Sequence, residues 1–95
     1  MESIELFPSL SHCVETTAKK EFWNSVNQYM ESGQEDRRLQ ERIKLLKAFL
    51  ESMDFKKLRS QSERYLLEGK KVKFVIRWQG DKPRCEMVVT EESEG

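Results

Sequence analysis

A small α+β domain, three helices followed by a C-terminal antiparallel β-hairpin packed on them, is the fold this 95-residue sequence predicts. Two observations carry that prediction. Apolar residues recur at spacings of three and four from Val14 to Leu66 and then switch to strict alternation from Val72 to Trp78. The alternating stretch is followed by turn chemistry, Gln79-Gly80-Asp81-Lys82-Pro83, and by a second extended stretch. A chain of this length makes one domain with one modest core, burying about 60–65% of the surface its unfolded form exposes. The expected organisation is a single domain over 1–95: an irregular arm (1–10), a helical part (13–68), the hairpin (70–90) and an acidic tail (91–95).

The arm is expected because Pro8 bars a helix through that point and Ile4, Leu6, Phe7 and Leu10 show no clear period. From about Cys13 to Glu31, Val14, Ala18, Phe22, Val26, Tyr29 and Met30 form the stripe of an amphipathic helix, broadened by Trp23. Ser11, or Thr16 or Thr17 for a later start, is the candidate cap, and Gly33 is the stop. A second helix is expected from about Glu35 to Met53, with Glu35 and Asp36 at its positive dipole end. Leu39, Ile43, Leu46, Leu50 and Met53 make its seam, which Leu45 and Phe49 widen to a globular face. Asp54 caps the third helix, which carries Phe55, Leu58, Tyr65 and Leu66 to a stop at Gly69; Ser60 with Glu63 has the spacing of a capping box at which that helix could restart.

In the hairpin, Val72, Phe74, Ile76 and Trp78 alternate with Lys71, Lys73, Val75 and Arg77. Setting Trp78 opposite Cys85 places Ile76 beside Met87 and Phe74 beside Val89 on one face, and pairs Val75 with Val88, Arg77 with Glu86 and Lys71 with Glu92 on the other. The expected core is then Phe74, Ile76, Trp78, Met87 and Val89 against Phe22, Val26, Leu39, Ile43, Leu46, Leu50, Phe55, Leu58 and Tyr65.

Composition excludes more functions than it suggests. The N-terminus has neither the basic start nor the apolar run of a secretory signal, and the longest apolar stretches, Ala48 to Leu50 and Phe74 to Ile76, fall far short of the roughly 20 residues of a membrane span. Two distant cysteines fit a reducing compartment, so an intracellular, cytoplasmic protein without membrane contact is expected. His12, the single histidine, adjoins Cys13, but no third member of a catalytic set accompanies them, and His12, Cys13 and Cys85 lack the paired spacing of a zinc site. With four glycines there is no phosphate-binding loop. No catalytic residue, metal or cofactor is expected, and the chain reads as a non-enzyme.

Charge is where the sequence is uneven. Lys56 to Arg84 holds ten Lys or Arg against Glu63, Glu68 and Asp81, and the flanking segments are acidic, so the formal net charge is zero. Two binding readings follow. In the first, the hairpin offers open edges and an apolar pair, Val75 and Val88, to a protein partner or to a second copy in a homodimer. In the second, Lys71, Lys73, Arg77, Lys82 and Arg84 contact nucleic acid. The first is preferred, because Phe74 and Trp78 are needed for the core and the chain is neutral overall.

Overall fold

The computed structural model describes residues 3–90, in the order β1 (Ile4–Leu6), α1 (Val14–Glu31), α2 (Arg37–Ser52), α3 (Phe55–Leu67), β2 (Lys71–Gln79) and β3 (Lys82–Thr90). The expected fold is corrected in one respect: the hairpin β2–β3 is present, but a strand precedes the helices and completes a three-stranded antiparallel sheet of order β1-β2-β3. The segment read as an irregular arm supplies that strand. Ile4 pairs with Ile76, Glu5 with Val75 and Leu6 with Phe74. Ile-Glu-Leu is itself an alternation, buried, exposed, buried, and its two apolar side chains enter the core. Pro8 ends the strand: the same register would set it opposite Val72, where it has no N–H to give the ladder.

The helices stand close to their expected places, and their ends follow from local hydrogen bonding. Cys13, not Ser11 or a threonine, is the N-cap of α1. Asp36 caps α2, its carboxylate accepting from the N–H of Arg38 (3.0 Å) and Leu39 (3.3 Å), so the acid expected inside the first turn stands just before it. Asp54 accepts from the Lys57 N–H at 3.2 Å and caps α3, which runs through Ser60 without a restart. Helices α1 and α3 end in the same motif. The N–H groups of Gly33 and Gln34 reach the carbonyls of Met30 and Tyr29, and those of Gly69 and Lys70 reach Leu66 and Tyr65.

The core lies between the helices and one face of the sheet: Ile4, Leu6, Val72, Phe74 and Ile76 from the strands, Val14 and Ala18 from α1, and Leu45, Leu46 and Phe49 from α2. Phe49 and Phe55 meet edge to face at 5.2 Å between ring centres. Of the expected core, Val26, Leu39 and Ile43 are only half-buried and stand outside this cluster. They lie on the parts of α1 and α2 nearest the connecting loop, where the helices pack on each other. There Arg42 joins the two helices, its Nε donating to the buried Ser25 hydroxyl at 3.1 Å and its NH2 to Glu21 at 2.9 Å.

The hairpin register is also corrected. Trp78 faces Pro83, Ile76 faces Cys85 and Phe74 faces Met87, a slip of two residues from the expected pairing. The connection is shorter than the five turn residues suggest. Gln79 pairs with Lys82, leaving Gly80 and Asp81 as the loop, and Gly80 takes φ 66° at the first central position, where a type II′ turn calls for glycine. Because side chains alternate with period two, the slip leaves every residue on its expected face.

Candidate interaction surface

The outer face of the sheet, turned away from the helices, gathers the residues singled out from the sequence. Lys71, Lys73, Val75 and Arg77 of β2 lie on it, with Lys82, Arg84, Glu86 and Val88 of β3 and Glu5 of β1. Val75 and Val88 share the face and are half-buried, but they are diagonal neighbours: Val75 stands between Glu5 and Glu86, and Val88 opposite Lys73. Charges surround them in pairs. Lys73 Nζ meets Glu5 at 2.9 Å, and Glu86 takes Arg77 and Arg84, each at 3.2 Å. The predicted Arg77–Glu86 pair forms across the diagonal, whereas Glu92, the expected partner of Lys71, lies outside the described residues.

The aromatics do not join this face. Phe74 is buried in the core, and Trp78 points to the helix side, where with Ile4 and Leu45 it lines an open cleft of about 560 Å³. Glu41, Arg42, Gly80 and Asp81 complete the lining of that cleft.

The sheet edges differ. β1 occupies part of the free side of β2, so one of the two open edges expected of a bare hairpin is partly closed. β3, nine residues long, is hydrogen-bonded on one side only among the described residues. Which of its backbone groups are exposed follows from the turn. A two-residue connection makes Gln79 and Lys82 a hydrogen-bonded pair, and from there bonded and non-bonded pairs alternate. Arg84, Glu86 and Val88 therefore direct N–H and C=O toward β2, while Pro83, Cys85, Met87 and Val89 direct theirs outward. Pro83 fits that placement, since its missing donor falls on the open side. The side chains of Cys85, Met87 and Val89 face the helices yet are only half-buried, in contrast to the fully buried Phe74 and Ile76 of the central strand. The helical layer thus covers β3 incompletely.

The thiols are free and sit in different surroundings. Cys13, at the start of α1, has its Sγ 3.4 Å from the Thr16 hydroxyl. That hydroxyl and the amides of the first turn hold the Cys13 pKa below its ordinary value. Cys85 is pushed up to about 11 by burial, with the neighbouring Glu86 carboxylate adding to the shift. His12 is exposed, with Nδ1 3.3 Å from the Ser11 hydroxyl. Among the described residues no three His, Cys, Asp or Glu side chains gather as metal ligands, and no helix is long and apolar enough to cross a membrane.

The open edges are expected from the sequence; what sequence reasoning missed is which backbone groups of β3 face outward. The individual residues were in view, but the backbone direction of Cys85, Met87 and Val89 depends on the turn length, which the five turn-forming residues concealed. No curated protein and no solved structure matches the chain. The chain belongs to an uncharacterised protein family, whose model matches residues 2–90.

Proposed function

We propose that this chain is a non-enzymatic protein-interaction module that docks an extended segment, from a partner or from a second copy, along the outer edge of β3. The observation that carries the reading is the nine-residue edge strand whose outward backbone groups and half-exposed Cys85, Met87 and Val89 are left incompletely covered. Added strands gain main-chain hydrogen bonds at such an edge and take specificity from alternate side chains. Val75 and Val88 extend the apolar contact onto the outer face. Two substitutions test the reading. Met87→Pro removes an outward N–H without touching the ladder to β2, and Val75→Lys places a charge in the apolar part of the outer face. Met87→Pro is expected to abolish self-association, or binding of a partner purified with the wild-type chain, and Val75→Lys, one strand in from the edge, to weaken it only where the occupant also reaches the outer face, while circular dichroism shows the fold retained. Binding that survives Met87→Pro, or a wild type that neither self-associates nor binds any partner, would overturn the reading.

A second reading is nucleic-acid binding, favoured by the gathering of Lys71, Lys73, Arg77, Lys82 and Arg84 on one face. It has less support, because acids already pair with Lys73, Arg77 and Arg84 and neither Phe74 nor Trp78 is presented for base stacking on that face.

A further inference from the structure

The outward edge of β3 is self-complementary in one register, and we infer that its occupant is a second copy of this chain, paired antiparallel through β3 about a two-fold axis at Cys85. The inference rests on the edge-docking reading above and commits it to an occupant.

When a strand pairs antiparallel with its own copy about a two-fold axis, the register is defined by the residue on the axis. The outer-face sequence of β3 is Lys82, Arg84, Glu86, Val88, Thr90. Centring on Arg84 sets Lys82 opposite Glu86 but opposes two guanidinium groups on the axis, and centring on Glu86 opposes two carboxylates. Centring on Met87 sets Glu86 against Val88, and centring on Val88 sets it against Thr90, so in neither does a charge find an opposite charge. Centring on Cys85 sets Arg84 of each copy opposite Glu86 of the other, twice, by symmetry. Unlike charges directly opposed across strands are favourable, and like charges are unfavourable.

The same register suits the backbone and the other face. Cys85 is an outward-bonding residue, so the two copies exchange a pair of N–H···O bonds at the axis. On either side, Met87 donates to the Pro83 carbonyl of the other copy, which uses the one group that proline can still offer. Pro83, Cys85 and Met87, all half-buried, face the helical side and would meet their counterparts there. Glu86 keeps Arg77, its 3.2 Å neighbour on β2, and gains the opposing Arg84, so a charged row runs across the seam. The product is a continuous sheet of order β1-β2-β3-β3-β2-β1, with all helices on one side.

Opposed charge reversals isolate the contact between copies from the Arg84–Glu86 pair within one chain. The side chains of Arg84 and Glu86 are 50% and 39% exposed, so each can be reversed without opening the core. Light scattering coupled to size-exclusion chromatography is expected to find the wild type dimeric, and Arg84→Glu and Glu86→Arg each monomeric or at least ten-fold weaker in association. An equimolar mixture of the two variants is expected to restore a dimer containing one of each, because both seam contacts are then of opposite sign. A folded wild type that is monomeric at every concentration would overturn the second copy as occupant, while partner binding sensitive to Met87→Pro would leave the edge-docking reading standing. A dimer indifferent to both reversals would overturn the register. Variants that weaken alone but do not recover on mixing would assign the effect to the contact within one chain, and would overturn it also.

Discussion

Cys13 and Cys85 show how much a residue's chemistry is set by its neighbours. Cys13 begins a helix beside a hydroxyl and free first-turn amides, which favour the thiolate. Cys85 lies half under the helical layer beside Glu86, and both burial and that carboxylate favour the thiol, pushing its pKa up to about 11 from the ordinary 9.0. The expected outcome is ordered alkylation: iodoacetamide at pH 8 modifies Cys13 first, and Cys85 reacts at a comparable rate only well above pH 9. Peptide mass spectrometry would check this, and the reverse order would contradict the environments described. The raised pKa also has a consequence for stability. Between pH 9 and 11 the unfolded thiol ionises while the folded one stays protonated, so the unfolded state binds fewer protons and stability falls as pH rises. Cys85→Ala removes that component, so urea unfolding across this range should show a steeper loss for the wild type.

At the scale of elements, β1 is the test of how the sheet is held. Leu6 is 1% exposed, and its neighbour Phe7 is 62% exposed. Leu6→Ala is expected to cost about 2–5 kcal/mol, the range for a large buried aliphatic side chain, and Phe7→Ala to stay within about 0.5 kcal/mol. Denaturant titration of the two variants separates a packed strand from a loose arm, for which the losses would be similar and small. Why the sequence concealed this strand is physical. Three residues hold only one and a half periods of an alternation, too little to stand out beside Phe7 and Leu10, and the pairing that makes them a strand comes from residues some 70 positions away. The helices were legible because they carry several turns of repeat and local start and stop signals: the caps Asp36 and Asp54 and the glycines Gly33 and Gly69 act within one turn of their own position. The faces of β2 and β3 were legible for a similar reason, whereas their register was not. A two-residue slip preserves every face, and only the turn distinguishes the alternatives. The α2 seam misled at Leu39 and Ile43 because periodicity reports which residues share a side of a helix, not how far along it the sheet extends.

At the scale of the whole molecule, the uneven charge of the sequence becomes a question of pairing. The basic segment from Lys56 to Arg84 looks like an electrostatic surface when the chain is read linearly. The fold brings acids from both flanking segments onto it: Glu5, from the N-terminal side, meets Lys73, and Glu86, from the C-terminal side, meets Arg77 and Arg84. Exposed pairs of this kind contribute little to stability, on the order of 0–1 kcal/mol each. They nevertheless reduce the positive potential of the outer face, because Lys73, Arg77 and Arg84 each already have a carboxylate within reach. Binding driven by counterion release scales with the number of phosphates neutralised, and falls steeply with salt when that number is large. The expected outcome for fluorescence anisotropy with single- and double-stranded probes is therefore weak binding at low ionic strength that disappears near physiological salt. Glu5→Gln and Glu86→Gln, by releasing Lys73 and the two arginines, should increase the low-salt affinity and steepen its salt dependence. Submicromolar binding by the wild type at physiological salt, lost on Lys73→Glu or Arg77→Glu with the fold intact, would make the outer face a nucleic-acid site in spite of its paired acids.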